Sequence, residues 1–537
     1  MSGRTRLLFS GLYAFAIVSI IVLRSLQPHL FADASKWHMN LFGRDVDGLL
    51  LAFAGAFGLA VCALLTLAMS SRLYFVHYVQ EAPPEALAWI RILACGILLG
   101  SVLWEDLGSI ALLPPELRQS MGVMRFFYAF PGFAKFAANS PALQTLKWVA
   151  ALILFLGMIG CFTRIVIPLG AISYLLIGGI MRQYSYFYHQ GIVPLYLLLV
   201  LSWTPCGDAW SIDRLWRGYR GRPISNGPAA IYGWSRYACW AVLALTYVAA
   251  GTSKLWNGGL LWWSSANIRS IAYADTLNES RLARFNWGGI SLHLTHAPDV
   301  LFSLFGILAL LVEISYGLVL ISRHARRILP AAAFLMHAGI FLLQKVMFFD
   351  FMLVQLVFVD VARIRQAIGK NKVPATDGPT IVLHPRESAW WPVATAGMVS
   401  MLLVVSFLRI EFYPLTSWQM YSGFSTEVAY TRMYAHHRSG VVTRAYIGDI
   451  VGALAGNRPQ HYIGSCLSEA TDPVHKCETF LKAVTAAYNR HAPLASRVTQ
   501  LEIQEWSWDF LAYPSDPGRA ALIRSFRFES PHDPEVR

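Results

Sequence analysis

Charge is the first thing this sequence lacks. Of 537 residues only 14% are Asp, Glu, Lys or Arg, while 55% are hydrophobic; a soluble domain carries nearer a quarter charged. That scarcity points to lipid as the solvent for much of the chain. Acidic residues are rarer than basic ones, 31 against 44, for a formal net charge of +13. The basic excess does not signal nucleic acid, because it sits in short loops between apolar runs. That distribution follows the positive-inside rule, with some attraction to anionic headgroups. Signature loops are missing as well: there is no Walker loop, no GxGxxG after a strand, no HExxH and no GxSxG. Nucleotide-driven transport and the common hydrolase chemistries therefore lack residues to carry them. Cysteines number seven, with no CxxC or Cys/His spacing that suggests zinc or another metal. Five of them (Cys62, Cys95, Cys161, Cys206 and Cys239) lie in or beside apolar runs, where a thiol behaves as a small hydrophobe. Cys466 and Cys477 stand alone in a polar tail and are expected to form a disulfide in an oxidising compartment.

What is present in quantity is long apolar sequence. Crossing a bilayer takes about 20 apolar residues, and charge-free runs recur at Gly48 to Met69, Trp148 to Thr163, Ile165 to Met181, Tyr237 to Ser253, Ile328 to Gln344 and Ala389 to Leu408. About eleven spans are expected, near 7–23, 48–69, 89–107, 144–163, 165–181, 190–205, 234–253, 300–321, 328–344, 346–361 and 389–408. The first follows Arg4 and Arg6, as a signal peptide would. Its one cleavage-like triplet, Ala32-Asp33-Ala34, lies beyond Arg24, which favours an uncleaved helix.

An odd number of spans puts the termini on opposite sides. Arg214, Arg217, Arg220 and Arg222 then share a side with Arg323, Arg326 and Arg327, with Arg363, Arg365, Lys370 and Lys372, and with Arg4 and Arg6. That side is the cytoplasm. The expected setting is an inner, cytoplasmic membrane with residues 409–537 outside. The tail is polar and mixed in charge. Its stretches Leu501 to Trp506 and Ala521 to Phe528 alternate as β-strands, and Glu478 to His491 reads as one amphipathic helix. The expected fold is mainly α, a polytopic transmembrane bundle carrying a small extracytoplasmic α+β domain. Two helices occupy 1–84, a central bundle 85–365, a cytoplasmic loop and last helix 366–408, and the outer domain 409–537.

Ionisable groups within spans are costly and invite a functional reading. Lys254 ends the seventh span, after the small residues Ala249, Ala250 and Gly251, which let a neighbouring helix or a ligand come close. Desolvation favours a neutral amine able to act as a base; the plain alternative is a lysine snorkelling to the interface. His189 closes the aromatic run Tyr184-Ser185-Tyr186-Phe187-Tyr188, which is equally the make-up of an interfacial belt. His337 is mid-span, suited to a helix–helix hydrogen bond or a site. Glu313, also mid-span, reads as a buried protonated carboxyl or a partner for His337. Lys345 and Asp350 bracket a tight turn and are expected to pair. The loop count sends Lys254, His189, Lys345 and Asp350 to one membrane face.

Tyr247 to Leu255 resembles the Y-x-x-A-G-x-x-K-L segment of the horizontally transferred transmembrane family, which includes vitamin K-dependent γ-carboxylase. Pro205-Cys206-Gly207 with Ser211 and Asp213 resembles the family's P-C-G-x-x-x-S-x-D signature, again with a histidine, His189, before the preceding span. Ala88 to Leu93, Met336-His337 and Met347 to Leu353 add matches, so that the resemblance covers roughly residues 85–365. Tyr413-Pro414 and Trp418 to Ser422 resemble the segment that follows in bacterial members. The chain departs from the carboxylases at Ser253, where they have a first of two adjacent lysines, and in the shortened stretch Trp256-Asn257-Gly258-Gly259. The resemblance implies an enzyme of the carboxylase/epoxidase kind using a reduced quinone as cofactor. Lys254 would be the base and His189 a second catalytic residue, with His337, Tyr188 and Glu313 meeting the quinone or peptide substrate. The alternative is a non-catalytic membrane protein for handling, export of, or immunity to a peptide or lipid. A secondary transporter would need internal repeats, which the sequence does not display.

Overall fold

In hydrocarbon a backbone must satisfy its own N–H and C=O groups, so apolar runs of this length become helices. The computed structural model describes residues 38–41, 44–184, 189–224, 227–277, 289–361, 390–454, 463, 473–490, 492–513, 516 and 519–529. The expected first span, near 7–23, lies outside them. A small hairpin, β1 (His38–Leu41) and β2 (Arg44–Asp47), leads into α1 (Gly48–Met69). There follow α2 (Pro84–Trp104), α3 (Ser140–Ile159), α4 (Thr163–Arg182), α5 (Ile192–Leu201), α6 (Ile212–Tyr219) and α7 (Ala230–Gly258). Next come α8 (Ser265–Leu277), α9 (Asp299–Ser315, prolonged by a 3-10 turn to Leu320), α10 (Ala325–Gln344), α11 (Phe349–Leu353, prolonged to Phe358) and α12 (Trp390–Phe407).

Among the described residues, eight of these helices are long and apolar enough to cross a membrane. The spans expected near 190–205 and 346–361 are shorter: α5 and the α11 segment have ten residues each. At 1.5 Å per residue each reaches about 15 Å, half a hydrocarbon core. Residues 409–427, after α12, run across the ends of both short helices, with the Trp418 ring 5.8 Å from Phe351 and 6.4 Å from Tyr196.

The long helix α7 is the mast of the bundle. It packs against α2, α5, α9 and α12, and 72% of its apolar window is buried, against 28% for α1, α3 or α9. At its first turns the Arg236 and Arg326 guanidinium groups flank the Trp240 ring, 4.5 and 4.6 Å from its centre. Lys254 sits about 27 Å further along the same helix. Arg326, of one basic cluster, and Lys254 therefore lie toward opposite ends of the bundle.

The tail forms a four-stranded antiparallel sheet in the order β4 (Val442–Arg444), β3 (Val428–His437), β5 (Val498–Trp508), β6 (Ala521–Glu529). The helix α13 (Pro473–Asn489) packs on β5 and β6. β5, β6 and α13 match the elements expected from alternation and amphipathicity; β3 and β4 were not foreseen. The sheet docks on the bundle through α8. There Tyr273 lies 5.1 Å from Trp508, ring to ring, and the Ser270 hydroxyl donates to the Glu427 carbonyl at 2.8 Å. Cys477 is buried and disulfide-bonded; Cys466, its expected partner, lies outside the described residues.

Candidate functional site

At the far end of α7 the run Ala249-Ala250-Gly251 brings another helix close. A Cβ on Gly251 would stand 3.0 Å from the Glu313 Cβ and 2.9 Å from the Ile314 side chain. The bare glycine thus lets α9 lie against α7, as the small-residue pattern implied. One turn on, Lys254 Nζ donates to Glu313 Oε1 at 2.8 Å, with both side chains almost fully buried. The ammonium also sits over the Trp262 indole, 5.4 Å from its centre. Lys254 therefore does not snorkel to water. Glu313 is its ion-pair partner, where the sequence offered a protonated carboxyl or a partner for His337.

His337 instead shares a hydrogen bond with the Tyr247 hydroxyl, 2.9 Å from Nε2. Gln355 Nε2 donates to the same hydroxyl at 2.8 Å, while the Tyr316 hydroxyl donates to Gln355 Oε1. Tyr247 and Tyr316 stack at 4.3 Å. Four helical segments, α7, α9 with its 3-10 extension, α10 and the α11 segment, thus meet in one polar knot inside an apolar bundle.

His189 reaches the same region from the loop before α5. Its Nε2 is 2.8 Å from the Thr416 hydroxyl and its ring centre 5.1 Å from that of Trp418. Burial pushes this imidazole down to about 3, and the positive charges of Arg182 and Lys254 push the same way. His189 is therefore a neutral donor and acceptor at physiological pH. Two residues on, Gly191 opens α5 at φ +79°, where a Cβ would collide with the Tyr174 hydroxyl at 1.7 Å. Its N–H donates to Asp350 Oδ2 at 2.7 Å. Asp350 is thus tied to the start of α5, which corrects the expected pair with Lys345. Lys345 is the left-handed cap of α10, packed against Gly289.

Three buried polar atoms in this region have no hydrogen-bond partner among the described residues: Glu313 Oε2, His337 Nδ1 and Asp350 Oδ1. A buried polar atom left unbonded costs about 1–3 kcal/mol, so three around one knot mark a place where polar groups of another molecule would be stabilised. Trp418, 2% exposed, closes the region. Its left-handed backbone (φ +59°) is held where the Ser253 hydroxyl donates to its carbonyl at 3.3 Å. Tyr188 lies outside the described residues.

The Pro-Cys-Gly stretch is at the other end of the bundle and is a structural lock. Arg91, fully buried, donates to the carbonyls of Cys206 and Trp210 at 2.7 and 2.6 Å. Asp213 accepts the Phe162 and Thr163 N–H groups at 2.7 and 2.8 Å, capping α4. Asp208 pairs with Arg217 at 2.8 Å.

Sequence reading singled out Lys254, His189, His337 and Glu313, and the structure brings all four into one region. It passed over Gln355, Tyr316 and Trp262. An amide inside the apolar run 346–361 was the available signal for Gln355. Tyr316 and Trp262 give none, because aromatics in spans and just beyond their ends are common. Compared with protein-family models, curated proteins and solved structures, the chain matches none.

Proposed function

We propose that this protein is a membrane-embedded enzyme that draws a proton from a lipid-phase substrate, a reduced quinone, at a site facing away from the cytoplasm. The observation that carries this reading is the buried Lys254–Glu313 pair beside unbonded polar atoms of Glu313 and His337. A buried ion pair adds little stability over a hydrophobic substitute, and an ionisable pair within an apolar bundle is a functional feature by default. The 2.8 Å hydrogen bond from Lys254 to Glu313 gives one proton a path between the two groups. When Glu313 holds it, the Lys254 amine is free to accept another from a hydroxyl; the O–H bond breaks and its electron pair stays on the substrate oxygen. His337, whose Nδ1 has no hydrogen-bond partner among the described residues, supplies a further bond to a ring carrying two oxygens. The resemblance around Lys254 favours a quinol over other lipid alcohols.

The test uses the full chain in lipid nanodiscs with menaquinol, measuring bound quinol and its turnover under oxygen. Turnover above the protein-free rate, reduced at least a hundredfold in Lys254→Ala with quinol binding retained, is the expected result. Equal turnover by the native chain and Lys254→Ala overturns the reading.

A further inference from the structure

In a soluble protein an amphipathic surface helix turns its apolar face inward. α6 does the reverse. Ile212, Leu215, Trp216 and Tyr219, spaced as one helical face, are 38%, 73%, 41% and 91% exposed. The other face is tied down: Arg217 pairs with Asp208 at 2.8 Å and donates to the Gly207 carbonyl, and the Arg214 guanidinium donates to the Asp208 carbonyl at 2.7 Å. The helix is thus fixed by its polar side with its apolar side presented outward. Trp203, 84% exposed, and Phe162, which meets Trp216 edge to face at 5.7 Å, extend the apolar surface.

Charge of one sign borders this surface. The Arg220 guanidinium lies over Trp216, 4.6 Å from the ring centre, and Arg220, Arg222 and Arg164 are exposed. Of the nearby acids, Asp208 pairs with Arg217 and Asp213 is turned to the first N–H groups of α4. Rings and aliphatics flanked by arginines match a headgroup layer, with apolar groups below the phosphates and guanidinium groups among them.

We propose that α6 lies in the membrane surface as a binding site for acidic phospholipid, with Leu215, Trp216 and Tyr219 inserted and Arg220 and Arg222 on the phosphates. Arginine's planar fork suits a phosphate. Two such contacts beyond those available to a neutral lipid amount to a preference on the order of tenfold.

The experiment takes the full chain in micelles holding equal phosphatidylglycerol and phosphatidylcholine and measures the lipid that co-purifies. The native chain is expected to retain phosphatidylglycerol about tenfold over phosphatidylcholine. The doubly substituted Arg220→Gln, Arg222→Gln chain should lose most of that preference while still folding, because neither side chain is buried. Leu215→Ser with Tyr219→Ser should lower retention of both lipids. Retention in the micelle ratio by the native chain overturns the proposal. So does a preference that survives Arg220→Gln, Arg222→Gln and disappears with Arg323→Gln, Arg327→Gln, or capture of a polyglutamate peptide with no lipid preference.

Discussion

Lys254 and Glu313 stand 59 residues apart in sequence, yet meet at 2.8 Å in the interior of the bundle. Removing one partner leaves an uncompensated buried charge, at a cost of about 3–5 kcal/mol. Removing both does not. Lys254→Met and Glu313→Leu should each lower stability in detergent by about that amount, and the double variant should recover most of the loss. Urea unfolding of the four proteins measures the coupling; additive losses would show that the pair does not act as one.

Gly251 sets the approach of α9. In Gly251→Val the added carbons meet Glu313 and Ile314 at 3.0 Å or less, so α9 must withdraw or the side chains must leave their rotamers. The expected loss is about 1–3 kcal/mol. A cross-link between cysteines placed at 251 and 314 should form readily, whereas one between 248 and 307 should not. Gly251→Val with native stability would mean that the helices do not touch there.

Asp213 belongs to the resemblance around the Pro-Cys-Gly stretch, but its geometry makes it a cap for α4. Asp213→Ala strands the Phe162 and Thr163 N–H groups and should cost about 1–2 kcal/mol. Any menaquinol binding should remain that of the native chain. Loss of binding in a variant of native stability would assign Asp213 a role beyond the cap.

Asp275, on α8, gives a pH signature. Burial lifts its carboxyl to about 7 from an ordinary 3.8, against an opposing hydrogen bond from Tyr421. Between those values the folded protein keeps a proton that the unfolded chain has released. Stability therefore falls as pH rises from about 4 to 7 and then levels off. Asp275→Asn should unfold at a higher temperature than the native protein at pH 8, with the gain vanishing near pH 4. A constant difference across that range would contradict the assignment.

The sequence disclosed most of the bundle because hydrocarbon imposes one rule on every span: apolar, helical and about twenty residues long. Where a segment obeys another rule, the reading failed. Residues 190–205 and 346–361 are apolar enough to span, but apolarity does not separate a helix crossing lipid from one ending inside protein. The difference lies in Trp418 and Thr416, distant residues that pack against the two short helices and the loop before them. The same limit explains the pairings. Sequence placed Glu313 and His337 at mid-span and offered them to each other as partners, because the choice of Lys254 and Tyr247 instead depends on helix rotation. Rotation is set by close contacts such as Gly251, visible as a small residue but not as a neighbour of α9. The strands β5 and β6 alternate visibly; β3, with its mixed Val428-Ala429-Tyr430-Thr431-Arg432, is specified by its register against β5.

The stretch that carries Trp418 runs directly into β3, and it is fastened at each step. The Tyr421 carbonyl accepts from the Trp262 indole at 2.7 Å, Asn257 donates to the Ser422 hydroxyl at 2.7 Å, and the Ser425 N–H donates to Asn267 at 2.9 Å. Those bonds tie the strip between Trp418 and β3 to the end of α7, the turn after it and α8, so the cover over His189 and the start of the sheet rest on the same elements.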